Sequence, residues 1–490
     1  MLHKGHIWKA GPVLFVALIV AGCSASSAPS STAPNTYPSP RGGERPGVGR
    51  EVDVAEQPQS TFAIDIDTAS YNFARRQLLD GGRPDPTTVR PEEFVNAFRQ
   101  DYPQPGGQGF TVGVDGSRLP RTHRDGDGGG DVRLLRVGLQ TRADDATERP
   151  DAALTFVIDV SGSMAEPGRL DLVQDALDVL IDQLRPSDSV AIVSFNDTAH
   201  VLREMTPARN RGALHSAVGE LRADGSTNLE AGLVTGYRVA RDGYVTGASN
   251  RVILLSDGLA NVGNTTADPI LRRVRDEAAK QIALLGVGVG SQYGDALMER
   301  LADAGDGFVT YVSERAQARQ LFVTRLPATL TVRALDAKVQ VTFSESTVLN
   351  YRLVGYEDRA LPASAFDNDR VDGGEVGPGH SVTALYVVRL RPEARGQVAE
   401  ARVRWLNPTS REPDERAAVV SVADLGGEFT AASPRLRVDY VAAFLAEVLR
   451  HSPYGNEVRL SDLAAIAGEA YDTTGDSQVD ELARLVDRAG

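Results

Sequence analysis

The sequence predicts an α/β fold, a doubly wound, mostly parallel sheet inserted between β-rich segments, with small α-containing modules near either end. Three observations predict it. From Ala153 to about Phe322, short apolar runs alternate with stretches whose apolar residues recur at helical spacing, the pattern of a parallel sheet covered by helices on both faces. On either side of that region, strand-like runs separated by turn residues replace the alternation, and the closing residues of the chain return to helical periodicity. A chain of 490 residues also exceeds what one hydrophobic core usually spans, ~250–300 residues, so several folded units are expected. Its hydrophobic fraction of 41% and charged fraction of 24% allow those units to bury ordinary cores.

At the start, Lys4 and Lys9 precede the apolar run Pro12 to Val20, and the small residues Ala21 and Gly22 precede Cys23. This is the plan of a signal peptide over residues 1–22, with an apolar stretch too short to span a bilayer comfortably. Ile19-Val20-Ala21-Gly22-Cys23 resembles a bacterial lipobox, which implies that Cys23 is lipidated and becomes the first mature residue. Cys23 is the only cysteine, so no internal disulfide competes for it. The Pro/Ser/Gly-rich stretch that follows, to about Gly49, suits a flexible tether, and residues 23–59 are expected to form the lipidated cysteine and a disordered linker. The mature protein is therefore expected in the cell envelope, held by a lipid anchor outside the cytoplasmic membrane, on the outer membrane or the outer face of the plasma membrane.

Residues 60–105 read as a small module: Ser60 to Asp67 alternates like a strand, Thr68 to Leu79 like a helix, and Pro91 to Phe98 like a second helix. Phe110 to Val114 and Val132 to Thr141 flank a Gly/Asp-rich loop, and this strand–turn–strand spacing predicts a hairpin. Residues 106–149 are expected to combine with 328–430 as one discontinuous β-sandwich around the α/β unit at 150–327, and residues 431–490 to form a helical module.

Within the α/β unit, Leu154 to Val160 is an apolar strand that delivers Asp159-Val160-Ser161-Gly162-Ser163 to its carboxyl end, where open α/β sheets bind ligands. Asp224-Gly225-Ser226-Thr227 precedes a helix, and Ser256-Asp257-Gly258 follows another apolar strand, so both reach the same edge. Carboxylate and hydroxyl oxygens are hard donors suited to Mg²⁺, with Ca²⁺ or Mn²⁺ as alternatives. The simpler reading is that the serines cap the next helix and Asp257 opens a turn, but three sets of oxygen donors at one sheet edge favour a cation site.

The set Asp159, Ser161, Ser163, Thr227 and Asp257, in that chain order, resembles the metal-ion-dependent adhesion site of von Willebrand factor type A domains. The resemblance covers about residues 150–325. It implies that the hydroxyls bind the cation directly, that the carboxylates act largely through water, and that one open position accepts an Asp or Glu side chain from a protein or peptide partner. Ser60 to Tyr71 with Arg90 to Asn96, and Ala443-Phe444-Leu445 with Leu449 to Tyr454, resemble the terminal regions of a bacterial family of such lipoproteins.

Other chemistry fits less well. Asp65-Ile66-Asp67-Thr68 invites a phosphatase reading with Asp65 as nucleophile and Asp67 as acid/base, but the threonine of that motif falls where this chain has Ala69. Asp125 to Asp131 and Asp472 to Asp476 lack the spacing and closing glutamate of a calcium-binding helix–loop–helix. Ser161 and Ser163 lack the Gly-x-Ser-x-Gly setting of a hydrolase, and the seven histidines show no placement as a base. A net charge of −14 opposes nucleic-acid binding. The expected function is that of a non-enzymatic adhesion, scaffold or assembly module, with phosphatase-like or enzyme-accessory chemistry, or a purely structural metal, as alternatives.

Overall fold

The computed structural model describes residues 49–490 apart from 108, 124–129, 144–148, 258–266, 279, 291–294, 306, 320, 323–331, 370, 372 and 409. The signal peptide, Cys23 and most of the expected tether lie outside the described residues, as does most of the Gly/Asp-rich hairpin tip.

The α/β unit is built on a six-stranded sheet in the order Val309–Val312, Ile282–Val289, Ser249–Ser256, Ala152–Asp159, Ser189–Phe195, Ala199–Pro207. Every neighbouring pair is parallel except the last. Burial on both faces explains the near-continuous apolar character of the central strands. Leu154, Phe156 and Ile158 point into one core with helix Leu170–Gln183 and helix Arg211–Glu220. Val157 faces the other core, beneath helices Leu229–Asp242, Ala267–Ala278 and Asp295–Asp303.

Around this unit, two antiparallel sheets face each other across a shared core that includes Phe62, Leu135, Val339, Tyr386 and Trp405. One runs Val52–Asp53, Val348–Val354, Ser381–Leu390, Asp131–Thr141, Phe110–Arg118; the other runs Ala360–Leu361, Gln59–Ala63, Ala334–Phe343, Gln397–Leu406, Pro413–Ser421. Phe110–Arg118 and Asp131–Thr141 pair as a hairpin, and Asp131–Thr141 then pairs with the distant Ser381–Leu390.

Two expectations change here. Residues 50–59 are not tether: Val52 and Asp53 pair with Tyr351 and Asn350, and Val54 is fully buried in the sandwich core, so the linker composition ends where apolar side chains resume. Nor do residues 60–105 stand alone. Gln59–Ala63 is an inner strand of the second sheet, and helices Ala69–Leu79 and Pro91–Asn96 share a core with the chain's last helices, Pro434–Leu449, Leu460–Thr474 and Ser477–Ala489. The two helical ends thus form one layer, because Pro434–Leu449 is buried nearly all round and is covered on several sides. Its start is secured by Pro434 in the first turn and by the Ser433 hydroxyl, which accepts from the Leu436 amide at 3.1 Å.

The helical layer also touches the α/β unit. Asp67 accepts the Val309 amide at 2.8 Å, and Arg75 bridges Glu314 and Glu481 at 3.3 and 2.7 Å.

Candidate metal centre

Parallel pairing places the two acidic strand ends side by side. Ile158 stands opposite Leu255, so Asp159 ends its strand next to Ser256, and the Ser256 hydroxyl donates to Asp159 Oδ2 at 2.6 Å. Asp159 Oδ1 accepts the Ser161 amide at 2.8 Å, a turn that brings the serine loop back over the sheet edge. Ser161 Oγ and Ser163 Oγ lie 3.1 Å apart, and Ser163 Oγ donates to Asp257 Oδ1 at 2.9 Å. Ser161 occupies the capping position of a short 3-10 turn without making a side-chain cap, so its hydroxyl is not spent on the helix start.

The third loop docks through its backbone. The Asp224 amide donates to the Val160 carbonyl at 2.8 Å, and the Gly162 amide donates to the Gly225 carbonyl at 2.9 Å. Asn196 Nδ2 holds the Asp224 carbonyl at 3.1 Å. Gly225 has φ +78°, and a Cβ there would lie 2.4 Å from Asp197 Oδ2, so the close approach requires glycine. These backbone bonds dock the loop that bears Thr227, itself buried.

These contacts bring Asp159, Ser161, Ser163 and Asp257 into one hydrogen-bonded cluster, with the Thr227 loop pinned to the same turn. Asp159 is fully buried, Ser161 and Asp257 nearly so, whereas Ser163 is exposed and opens the cluster to solvent. Burial raises the Asp159 carboxyl to about 6; hydrogen bonds from Ser256 and Ser161 oppose the rise and the Asp257 charge adds to it. Two carboxylates held together at this depth, with hydroxyl oxygens beside them, are a donor set that fits a hard divalent cation. Among the described residues, no three His, Cys, Asp or Glu side chains converge as a metal cage, so hydroxyls are indispensable to such a ligand set.

Sequence reasoning misses two members. Ser256 is visible only as the residue before Asp257 until strand register sets it against Asp159. Arg169, buried at the start of helix Leu170–Gln183, donates through Nη1 to Asp257 Oδ2 and to the Ser163 carbonyl, the latter at 3.0 Å. A guanidinium reaching back over six residues has no signature in spacing.

Asp65 and Asp67 go elsewhere. Asp65 Oδ1 accepts the Asp67 amide at 2.8 Å, Asp67 accepts the Val309 amide, and Arg359 lies 3.4 Å from Asp65 and 3.6 Å from Asp67. Thr68 makes no side-chain cap; the Ala69–Leu79 helix is capped from a distance by Glu93, which accepts the Ser70 amide at 2.8 Å.

Residues 153–324 match the family model of the von Willebrand factor type A domain, residues 328–394 that of the C-terminal region of the uncharacterized protein YfbK, and residues 48–125 a model described as von Willebrand factor. The chain is 30% identical to uncharacterized protein YfbK of Escherichia coli over 459 residues, covering 89% of this chain and 79% of that one. Uncharacterized protein sll0103 of Synechocystis is 30% identical over 195 residues, 39% of this chain and 45% of its own length. A solved von Willebrand factor type A structure from Catenulispora acidiphila is 17% identical, covering 77% of this chain and 89% of that chain with a TM-score of 0.48.

Proposed function

The chain belongs to the YfbK family, with a von Willebrand factor type A domain at its centre, and from that premise we propose that it is a lipid-anchored cell-envelope module that binds a protein or peptide partner through a divalent cation. Domains of this type typically take part in protein interactions or adhesion and commonly bind a divalent metal. In the reading proposed here, Asp159, Ser161, Ser163, Thr227 and Asp257 hold Mg²⁺, or Ca²⁺ or Mn²⁺ in its place, and the ion takes an Asp or Glu side chain of the partner. The cation supplies a Lewis-acidic point of attachment when bound. The chain's own groups do the rest: Asp257 accepts a hydrogen bond from the Ser163 hydroxyl and Asp159 one from Ser256, which turns Ser163 oxygen lone pairs toward an ion.

The observation that carries this reading is the cluster itself, buried carboxylates meeting paired hydroxyls at a sheet edge with one member, Ser163, open to solvent. Cys23 supports the membrane anchor through its lipobox-like setting. No helix among the described residues is long and apolar enough to cross a membrane. Phosphatase chemistry at Asp65 and Asp67 finds no support in their geometry, since both are buried and engaged by Arg359 and backbone amides.

The test is capture of partners from an envelope extract by the wild-type protein and by Asp159→Ala, each with Mg²⁺ and with EDTA. Capture by wild type with Mg²⁺ alone is expected. Capture that survives EDTA, or that Asp159→Ala retains, removes the metal bridge.

A further inference from the structure

We propose that Arg169 is a built-in counter-cation of the metal centre, cancelling one of its two negative charges so that a bound divalent ion stays electrophilic toward an outside carboxylate. The inference rests on the cation-binding reading above and adds to it a residue outside the ligand set, acting through Asp257.

The Arg169 side chain is only 4% exposed, so its ion pair with Asp257 is not a surface contact softened by water. The guanidinium is anchored at three points: Asp257 Oδ2, the Ser163 carbonyl at 3.0 Å, and Glu166 Oε2 at 2.6 Å. A planar donor fork held this way is a fixed charge rather than a wandering one. Its path is built into the sheet. Gly290, just past the strand Ile282–Val289, has φ +88°, and a Cβ there would stand 2.8 Å from Arg169 Nε, so the glycine opens the slot through which the side chain reaches the site.

Asp159 and Asp257 bring two negative charges to the centre, while Ser161, Ser163 and Thr227 bring none. Glu166, the third anchor, is 64% exposed, so its charge is screened by water; among the buried groups Arg169 leaves a single negative charge, and a divalent ion is left with positive charge to satisfy from outside. Without it, the two carboxylates match the ion's charge and the demand for a third carboxylate falls. The cost of the arrangement is weaker retention of the metal, because like charges are held close in a poorly solvated setting.

This division gives a sign that a merely structural role does not. Mn²⁺ binding to the full-length protein is measured by electron paramagnetic resonance for wild type, Arg169→Met and Arg169→Lys. Arg169→Met is expected to bind Mn²⁺ about tenfold more tightly, and Arg169→Lys to stay within about threefold of wild type. Acetate, added to the Mn²⁺-loaded proteins while water-proton relaxation is followed, should displace water at lower concentration in wild type than in Arg169→Met. Thermal unfolding in EDTA checks the fold; if Arg169→Met is unfolded there, Arg169→Gln carries the same test. A wild type that takes up no Mn²⁺ overturns the cation-binding reading and this inference with it. Uptake by wild type that is weakened or unchanged by Arg169→Met or Arg169→Gln overturns the role of Arg169 alone.

Discussion

Two loops of this protein start alike and end differently. After the strand Gln59–Ala63, Asp65 Oδ1 accepts the amide two residues on, at Asp67; at the end of Ala152–Asp159, Asp159 Oδ1 does the same with Ser161, and both bonds measure 2.8 Å. The difference lies in what meets the remaining oxygens. At the first loop, Arg359 lies beside both carboxylates and the Val309 amide donates to Asp67, so the pair braces sheet, helix and α/β unit. At the second, hydroxyls of Ser256, Ser161 and Ser163 line the cluster, and a hydroxyl that donates its proton keeps lone pairs to offer. Asp65 and Asp67 meet a guanidinium and an amide and form a brace, whereas Asp159 meets hydroxyls, with Arg169 confined to Asp257, which is the donor set the proposed cation receptor needs.

The largest expected effect breaks the brace. Arg359→Met leaves two buried carboxylates without their cation and should cost about 3–5 kcal/mol of unfolding free energy in urea, equally with Mg²⁺ or EDTA. A loss under about 1 kcal/mol contradicts the assignment of Asp65 and Asp67 to structure.

Asp188 sharpens the same contrast as a second closed carboxylate. It receives Arg149 through two bonds of 2.9 and 2.5 Å and the amides of Ala152 and Arg185 at 2.9 and 2.7 Å. These hydrogen bonds and the Arg149 charge outweigh the cost of burial and hold its pKa below the ordinary 3.8. Its stabilisation is therefore complete above that value and is lost as pH falls through the lower folded-state value. Asp188→Asn should lose about 2 kcal/mol at neutral pH in chemical denaturation, and the gap to wild type should close in acid.

Asp159→Asn is the counterpart at the open site. Because burial already raises its carboxyl to about 6, the fold does not reward its charge, and the variant in EDTA should unfold within about 1 kcal/mol of wild type. The Ser256 hydroxyl can turn to accept from the new amide. The smallest effect belongs to the solvent-facing pair of carboxylates, Asp178 and Asp182, which hold His215 at 2.6 and 3.3 Å and raise its pKa above 6.5. The stability this adds is full below 6.5 and disappears as pH rises through the raised folded-state value, so the difference between wild type and His215→Asn should be under about 1 kcal/mol, seen at pH 5.5 and gone in mildly alkaline buffer.

What the sequence reveals follows the range of the interactions. Strands Ile282–Val289 and Ser381–Leu390 are read directly because period and polarity are written in adjacent residues. Asp159 and Asp257 of the candidate site are legible for a related reason, since each follows an apolar run and parallel pairing brings such ends to one edge. The strand Ala199–Pro207 escapes notice because it is an edge strand, half-exposed and without a clear apolar face. Arg359, Glu93 and Arg169 escape because nothing near them in the chain announces the carboxylate or amide they meet. The shared core of the first and last helices is of the same kind, formed between Tyr71, Phe94 and Phe444 across most of the chain's length.

Thermal unfolding of wild type and Asp159→Asn, each with Mg²⁺ and with EDTA, bears most directly on the claim that the serine-lined edge is a cation receptor. Wild type should gain about 2.7 kcal/mol when Mg²⁺ stands a hundredfold above its dissociation constant, while Asp159→Asn should unfold at one temperature in both buffers. A wild type indifferent to every divalent ion tried, or a variant stabilised as much as wild type, would contradict it.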